Sequence, residues 1–316
     1  MKGLTDIPGI RAGHVSDFDA ITGCTAILCE GGAVAGVDIR GSASGTGEIG
    51  TLDPGHVTER IDGILLAGGS AFGLEAACGV RRYLERQGIG FDTGAAKVPI
   101  VPAAILYDLG IGKAGVRPTL EMGEAAAAAA TDGPVEEGSV GAGTGATVGK
   151  ILGMSQAMKS GVGCYTVELP TGVKVACLVA VNAFGDVRDP ATGRTVAGAR
   201  TTPGGSEFAG TEEEMKRRPA RGFGGGNTTL AVIATDARLS KVQARKLAQL
   251  ASLGMARTIY PVNTTFDGDT VFALSMGSRA ADLNTLGVAA AEALSAAILR
   301  AVRLARTLGG VPGLAL

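Results

Sequence analysis

Histidine is nearly absent from this chain of 316 residues, which contains only His14 and His56. Triad hydrolases use a histidine as their general base, and catalytic zinc sites take most of their ligands from histidine. The sequence also has no HExxH motif and no cysteine cluster. It therefore predicts neither a metal nor a cofactor, and it offers a hydrolase only two histidines, both early in the chain, as a possible base.

A large net charge and long apolar runs are also missing. The formal net charge is -1, and no Lys/Arg stripe is present to bind a phosphate backbone. No run of about 18 apolar residues predicts a membrane helix. Near the start, Asp6 and Pro8 interrupt the apolar stretch that a secretory signal would need. The five cysteines form no CxxC pair, as expected of reduced thiols. We therefore expect a cytoplasmic protein with no nucleic-acid or membrane partner.

Glycine, with 51 residues, is abundant instead, and the apolar pattern predicts blocks of hairpins and helices. Gly31-Gly32 and Pro170-Thr171-Gly172 are typical of hairpin turns. Hairpins in blocks favour antiparallel or mixed sheets covered by helices over strict βαβ alternation. Strands are predicted over 22–29, 33–40, 61–67, 163–169, 173–181, 229–235 and 269–275, and helices over 71–87, 121–131, 240–259 and 286–307.

The composition changes between residues 190 and 226, where Pro, Gly, Thr and charged residues dominate. Such a composition is typical of an exposed connecting segment, so we predict a mobile linker here. An apolar strand follows directly after Thr228.

Three glycine-rich segments resemble known motifs. Residues 45–50 match GxGxxG, but the LDPG sequence that follows prevents the helix that a dinucleotide site needs. The loop from Gly141 to Lys150 (GAGTGATVGK) resembles a Walker A loop without its spacing, which leaves a phosphate- or nucleotide-binding protein as one alternative. Ser70 lies between a predicted strand and helix, like the serine of a GxSxG elbow, with Phe72 in place of glycine. A serine esterase that uses Ser70 is the other alternative.

Asp267 and Asp269 flank a glycine on a segment that is predicted to be extended. Side chains two residues apart on such a segment project to the same side, so the pair can orient an ammonium group or share a proton. A calcium loop would need further ligands that the sequence lacks. A plain polar turn is the alternative interpretation.

Nearly the whole chain resembles the DmpA-type family of L-aminopeptidase/D-esterases, β-peptidyl aminopeptidases and nylon-oligomer hydrolases. The segments that carry the resemblance occur in the family's order with family-like spacing. They are GLTDIPGIRAGHVSD (3–17), LLAGGSAFGLEAA (65–77), VPIVPAAILYDLG (98–110), GSVGAGTGATVGK (138–150), LVAVNAFGDVRDP (178–190), GGGNTTLAVIATDA (224–237) and FDGDTVFAL (266–274).

The resemblance implies an α+β fold, a four-layer αββα sandwich like that of N-terminal-nucleophile hydrolases (DmpA/ArgJ-like). It implies a single domain over 1–316, made as a precursor that cleaves itself into residues 1–227 and 228–316, and a tetramer of processed pairs. Thr228 matches the family nucleophile, Asn227 the residue before the scissile bond and Asn182 the oxyanion-hole amide. Positions around the reacting centre are matched by Lys150, Tyr107, Asp267 and Asp269.

In the aminopeptidase members of the family the nucleophile is usually serine. Threonine after asparagine, together with the DGDT signature, is more similar to the nylon-oligomer branch. The resemblance therefore implies hydrolysis of short peptides, amides or unusual amide bonds of the β-peptide or nylon type.

These residue types fit self-cleavage followed by amide hydrolysis. Attack of the Thr228 hydroxyl on the Asn227 carbonyl gives an ester that water hydrolyses, and the glycines at 224–226 permit the turn that this requires. The freed α-amine has a reference pKa of about 7.7 to 8.0, so it can accept the Thr228 proton in place of a histidine.

The other matched residues have expected roles around this nucleophile. We expect Lys150 to favour the neutral amine, and the Asp267/Asp269 pair to orient Lys150 and the new ammonium. The Asn182 amide would donate to the oxyanion, and Tyr107 would hydrogen-bond the same oxygen or the substrate.

Overall fold

The computed structural model describes residues 1–217 and 226–315. The α-helices are α1 (Ala76–Arg86), α2 (Leu120–Ala128), α3 (Thr211–Arg217), α4 (Lys241–Thr258) and α5 (Leu283–Arg303). Short 3-10 helices cover Leu4–Asp6, Ile49–Leu52, Ser70–Glu75, Gly141–Gly143 and Met154–Gln156. The strands are β1 (Ile10–Asp17), β2 (Thr22–Ile39), β3 (Gly45–Gly47), β4 (Ile61–Ala67), β5 (Phe91–Asp92), β6 (Lys97–Val98), β7 (Ala103–Ile105), β8 (Thr147–Val148), β9 (Met158–Lys159), β10 (Val162–Glu168), β11 (Lys174–Asn182), β12 (Asp186–Arg188), β13 (Thr195–Ala197), β14 (Thr228–Ala237), β15 (Ile259–Tyr260) and β16 (Thr270–Arg279).

The main sheet is mixed and runs β10-β11-β14-β16-β2-β4-β7-β3, with β1 also paired to β2. Strand β2 is 18 residues long and joins two halves of this sheet. Its first part pairs with β1 and β4, and its last part pairs with β16. Strands β14 and β16 are parallel, so their first residues meet at one edge of the sheet.

Alternation of side chains along the strands shows that the two halves are stacked as layers. On β11, Val179 belongs to a buried cluster with α4 and α5, whereas its neighbour Leu178 belongs to a cluster with Ile64 of β4. On β4, Leu65 packs instead with α1 and α2. The order of layers is helices, sheet, sheet, helices, so the expected αββα sandwich is confirmed.

Helices α1 and α2 pack with their backbones in contact. A Cβ atom at Gly79 would lie 1.8 Å from the carbonyl oxygen of Leu120, and one at Gly123 would lie 1.9 Å from that of Ala76. Real Cβ atoms do not approach backbone so closely, and any side chain at these two glycines would force the helices apart.

Several predicted elements are confirmed. The strand at 61–67 is β4, and the second hairpin is formed by β10 and β11. Helix α4 begins after Ser240, whose side chain accepts a hydrogen bond from the Gln243 backbone in a capping box. Helix α5 begins three residues earlier than predicted, because Asp282 caps it through the Thr285 backbone N–H.

The predicted hairpin over 22–40 is wrong. Gly31 and Gly32 both have positive φ, but the chain continues in the same direction as the single strand β2. The pairing of β2 with β4 shifts between Leu28 and Ala33, so the two glycines form an irregularity within a long strand. A glycine pair cannot distinguish a bulge from a turn without knowledge of the strands on either side.

The segment 190–226, predicted as a mobile linker, contains regular structure in its described part. Strand β13 pairs with β12, and α3 follows. The buried carboxylate of Asp186 accepts hydrogen bonds from the backbone N–H groups of Ala199 and Thr211. The composition of the segment could not predict this regular structure, because the carboxylate that binds it belongs to Asp186, outside the segment. The part of the prediction that covers 218–225 falls outside the described residues.

Helix α5 is long and apolar enough to cross a membrane by length and composition alone. In this fold, 67% of its most apolar window is buried. The helix packs on α4 and on strands β10 and β11. Its apolar surface therefore belongs to the protein core.

Candidate active site

Thr228 lies at the edge of the main sheet, where three chain segments meet. It is the first residue of β14 and pairs with Asn182, the last residue of β11. The preceding residue, Asn227, forms a parallel bridge with Asp267, just before β16. Thr228 and Asn227 are 2% and 1% exposed. The fold thus collects residues that are far apart in the sequence.

In the continuous chain, the carbonyl group of Asn227 receives two hydrogen bonds. Thr228 Oγ1 donates to Asn227 O at 2.5 Å, and the backbone N–H of Gly268 donates to the same oxygen at 2.8 Å. The hydroxyl therefore lies beside the carbonyl that it would attack, and Gly268 polarises that carbonyl.

Gly268 also lies at this site, although its sequence pattern did not predict it. A Cβ atom there would lie 2.7 Å from Thr228 Oγ1 and 2.8 Å from Ala43 O, so no side chain fits without displacing the hydroxyl. The only available signal was a glycine between two aspartates. That pattern does not indicate that the backbone N–H of Gly268 donates to Asn227 O.

The Asn182 side chain is buried with its amide orientation fixed by donors. Its Oδ1 accepts hydrogen bonds from Lys150 Nζ at 2.7 Å and from the Thr147 backbone N–H at 3.0 Å. Its Nδ2 donates to Tyr107 O at 2.9 Å and to Gly226 O at 3.4 Å. Two donors on Oδ1 leave Nδ2 directed at the chain that precedes the Asn227-Thr228 bond.

Lys150 is a buried lysine whose ammonium group also donates to the Asn182 backbone oxygen at 3.0 Å. Burial lowers the pKa of Lys150 to about 7, against the opposing effect of the carboxylates of Asp267, Asp108 and Asp269. Near neutral pH this amine can therefore gain or lose a proton.

Asp267 and Asp269 do lie together at the site, where their hydrogen-bond donors are backbone N–H groups and, for Asp267, also the Thr264 hydroxyl. Asp267 Oδ1 accepts from Phe184 N at 3.2 Å, and Asp269 accepts from Thr229 N at 2.7 Å and from Asn263 N at 2.9 Å. Burial raises the pKa of both carboxyls, and the charge of Asp267 raises that of Asp269 further. Their effect on Lys150 acts through space, since Lys150 hydrogen-bonds Asn182.

A cavity of about 240 Å³ opens beside this group. Tyr107, Lys150 and Gly226 line it, together with Asp108 and the apolar side chains of Ile111 and Met154. Gly226 lies against Tyr107, because a Cβ atom at Gly226 would be 2.5 Å from Tyr107 Cβ. All seven residues that the sequence suggested for the site are thus brought together around Thr228.

The chain matches the model of peptidase family S58 over residues 2–315. It belongs to peptidase family S58. A relative named as an uncharacterized aminopeptidase, from Mycobacterium tuberculosis, is 40% identical over 99% of this chain and 96% of its own. A 6-aminohexanoate-oligomer endohydrolase of Kocuria sp. is 31% identical over 94% of this chain and 85% of its own. The S58 protein is therefore a hydrolase that acts on amide bonds.

The solved structures agree on the fold. An L-aminopeptidase D-Ala-esterase/amidase of Ochrobactrum anthropi, described as a variant of the Ntn hydrolase fold, aligns with a TM-score of 0.71. The alignment covers 98% of the S58 chain and 88% of the other chain at 21% sequence identity. This likeness shows the fold, which is that of the N-terminal-nucleophile hydrolases.

Ser70, the alternative nucleophile, lies where the sequence placed it but without a base. It begins a 3-10 helix after β4, with φ 55°. Among the described residues, no hydrogen bond joins it to either histidine. Nδ1 of His14 bonds Thr25 Oγ1, and Nδ1 of His56 bonds Thr58 Oγ1. The S58 fold therefore gives the Ser70 hydroxyl no proton acceptor of the triad type.

The loop from Gly141 to Lys150 is not a phosphate cradle in the S58 fold. Its backbone N–H groups already have partners: those of Gly141 and Ala142 donate to Ser16 and Thr25 hydroxyls, and that of Lys150 donates to Phe184 O. A phosphate loop needs free N–H groups directed at the ligand. This loop instead delivers Lys150 and the Thr147 N–H to Asn182.

Proposed function

We propose that Thr228 is the nucleophile of this S58 hydrolase and that self-cleavage of the Asn227-Thr228 bond activates it, giving chains 1–227 and 228–316. The observation that carries the proposal is the contact of Thr228 Oγ1 with Asn227 O at 2.5 Å, on a carbonyl that also accepts from Gly268 N. No histidine is needed for either step.

Self-cleavage would proceed by an N-to-O acyl shift. Oγ1 of Thr228 attacks the Asn227 carbonyl carbon and loses its proton, while negative charge collects on Asn227 O, where the Gly268 N–H stabilises it. The C–N bond then breaks and the nitrogen takes a proton, which leaves an ester. Water hydrolyses this ester, with Asn227 as the new carboxylate terminus and Thr228 as a free α-amine.

Substrate hydrolysis would repeat the same acyl chemistry with the α-amine as base. The amine accepts the Thr228 hydroxyl proton while Oγ1 attacks the substrate carbonyl. Once residues 226–227 have withdrawn, Asn182 Nδ2 loses one of its two acceptors, Gly226 O, and can donate to the oxyanion. Lys150 holds the Asn182 amide in this orientation, and its positive charge would favour the neutral form of the nearby amine. Tyr107 lines the space that the substrate would occupy.

We further propose that the substrates are short peptides, amides, or unusual amides of the β-peptide or nylon type. The names of the two sequence relatives support this range, since one is an aminopeptidase and the other an endohydrolase of 6-aminohexanoate oligomers.

A tetramer of processed pairs stays a prediction. So does a cytoplasmic location, which the absence of disulfides among the five cysteines supports.

The test is an intact mass spectrum of freshly purified protein. We expect two chains whose masses meet at the 227/228 junction and whose sum exceeds the precursor mass by one water. A single uncut polypeptide that nonetheless hydrolyses amides would overturn the proposal, because Thr228 would then have no free α-amine.

A further inference from the structure

Lys159 is completely buried, with 0% of its surface exposed, and the chemistry above does not use it. It lies on β9, directly opposite Thr147 of β8. Its ammonium group donates to the carbonyl oxygens of Ala146 at 2.7 Å, Ser160 at 2.8 Å and Gly143 at 3.3 Å. An ammonium group has three N–H donors, so these three carbonyls satisfy it completely.

The acceptors of this buried ammonium group are carbonyl oxygens, whereas a buried cation is usually paired with a carboxylate. Within residues 1–217 and 226–315, no ion pair joins Lys159 to an acidic side chain. Burial lowers the pKa of Lys159 to about 7, and the charge of Asp108 opposes this effect through space. A buried charge without an ion pair destabilises a fold. Its presence on a strand paired with β8 therefore favours a role in the candidate site.

One peptide group connects Lys159 to Asn182. The carbonyl oxygen of the Ala146-Thr147 peptide accepts from Lys159 Nζ at 2.7 Å, and the N–H of the same peptide donates to Asn182 Oδ1 at 3.0 Å. A peptide group is planar, so a donor that fixes its carbonyl also fixes its N–H. A charged donor on the carbonyl also polarises the peptide and strengthens the hydrogen bond that its N–H donates. Lys159 is thus connected to Asn182 through two hydrogen bonds and one peptide plane.

We propose that Lys159 is a positioning residue for amide hydrolysis, which holds the Ala146-Thr147 peptide so that the Thr147 N–H keeps Asn182 Nδ2 turned towards the reacting carbonyl. The inference rests on the proposed function, because it takes Asn182 as the oxyanion donor. Lys150 donates to the same Asn182 oxygen at 2.7 Å. The amide is therefore held by two donors, and Lys159 secures the one that the backbone supplies.

The test measures how far Lys159→Met lowers the turnover of alanine 4-nitroanilide by the processed protein. We expect kcat to fall by roughly tenfold, less than the 10²- to 10³-fold typical of removing an oxyanion donor, because Lys150 still binds Asn182. KM should change by less than about twofold, since Lys159 does not line the cavity. The Ser160 N–H still donates to Ala146 O at 3.0 Å, so the loop should keep its course while this peptide is held less tightly.

The same substitution in an Asn182→Ala background separates positioning from a merely structural role. A structural role would lower kcat in either background. Positioning predicts that Lys159→Met lowers kcat by less than about twofold further in Asn182→Ala, because the amide that it positions is gone. An equal loss of roughly tenfold in both backgrounds would overturn the proposal. An unchanged kcat in Lys159→Met alone would do the same.

Lys241→Met is the matched control, since Lys241 is another buried lysine whose ammonium group donates to carbonyl oxygens. Its acceptors are Thr51 O at 2.9 Å and Asp53 O at 3.1 Å, neither of which belongs to the loop that carries Thr147. This control should leave kcat unchanged within about twofold. If the methionine variant of Lys159 does not fold, Lys159→Gln repeats the test, because glutamine keeps N–H donors for the buried carbonyls without the charge. The same dependence on Asn182 is expected.

Amide hydrogen exchange separates this inference from the proposed function, because it needs no turnover. In the full-length protein, Lys159→Met should speed exchange of the Thr147 N–H by roughly tenfold, and Lys241→Met should leave it unchanged. If exchange speeds up as expected but the wild-type protein hydrolyses no amide, the proposed function fails and the hold of Lys159 on the Thr147 peptide stands. Unchanged exchange in an enzyme that does hydrolyse the nitroanilide would overturn the positioning role alone.

Discussion

Two hydroxyl groups in this protein begin from similar positions, and only one acquires a reactive environment. Ser70 follows Gly68-Gly69 after strand β4, and Thr228 follows Gly226-Asn227 at the start of β14. Around Thr228 the fold places a polarised carbonyl, a fixed amide and buried titratable groups. Around Ser70, the described residues include no histidine or lysine partner for the hydroxyl. A glycine-rich segment at a strand end is therefore not enough to activate a hydroxyl group. Activation also requires polar partners, which segments distant in the sequence supply at Thr228.

The largest expected effect comes from removing the Thr228 hydroxyl. Thr228→Ala should yield one uncut chain whose amide hydrolysis falls by roughly 10⁶-fold, the scale seen when a hydrolase loses its nucleophile. Mass spectrometry measures the first result and a nitroanilide assay the second. If the variant still splits at the 227/228 junction, the Thr228 hydroxyl is not the group that cleaves the chain, and its environment does not distinguish it from Ser70.

Asn182→Ala sharpens the comparison by separating processing from turnover. We expect kcat to fall by about 10²- to 10³-fold, with a much smaller change in KM, because the oxyanion loses a donor. Processing should be slowed less, since Gly268 N, rather than Asn182, donates to the scissile carbonyl. Steady-state kinetics on processed protein, together with the rate of chain cleavage, measure the two effects. An unchanged kcat would remove Asn182 from the oxyanion role.

Gly268→Ala should slow processing by about 10²-fold. The added Cβ would lie 2.7 Å from Thr228 Oγ1, and a displacement of roughly 1 Å at a reacting atom costs about this factor. The fraction of uncut chain after timed incubation is the measurement. Gly110→Ala serves as the control for added bulk near the cavity, because Gly110 lines the cavity, nothing lies within 4 Å of a Cβ there, and its φ is not positive. Rapid cleavage in Gly268→Ala would show that the added Cβ does not displace the Thr228 hydroxyl from the Asn227 carbonyl.

Burial of Lys150 predicts a pH-dependent stability. Between its folded pKa of about 7 and the ordinary value of 10.5, the folded chain binds fewer protons than the unfolded chain. The free energy of unfolding should therefore rise with pH, by up to about 1.4 kcal/mol per pH unit for one lysine. Lys159, whose pKa burial also lowers to about 7, should contribute a similar slope.

Urea unfolding of the single-chain Thr228→Ala protein between about pH 7.5 and 9 measures this slope. Above that range the trend should reverse, because burial raises the pKa of four thiols, those of Cys24, Cys29, Cys164 and Cys177, and the unfolded chain releases these four protons first. Adding Lys150→Met should remove about half of the slope, with Lys159→Met as the matched variant. A slope that neither change reduces would mean that other groups set it.

The smallest effect is expected at the other hydroxyl. Ser70→Gly removes the hydroxyl and suits the positive φ of 55°, so neither processing nor turnover should change by more than about twofold. The assays used for Thr228→Ala apply unchanged. A large loss of activity with normal processing would instead favour the serine esterase, with Ser70 rather than Thr228 as the nucleophile.

Much of the fold could be predicted from local patterns. Apolar runs predicted the strands at 61–67 and 173–181, and the apolar pattern predicted the helix at 240–259, because these features depend on residues close in sequence. The hairpin at 22–40 and the character of 190–226 could not be predicted. Both depended on contacts with distant residues, the strands that flank β2 and the carboxylate of Asp186.

The sequence by itself determined which chemistry was available. With only two histidines the sequence gives little support to a triad, and the family motifs imply an N-terminal nucleophile at Thr228 and name the residues around it. Only the tertiary structure decided which atoms meet: the Gly268 N–H on the Asn227 carbonyl, Lys150 on Asn182, and Asp108 at the cavity wall. The first of these contacts follows from the register of strands β14 and β16. Register is set by side-chain packing across the whole sheet and leaves no local pattern in the sequence.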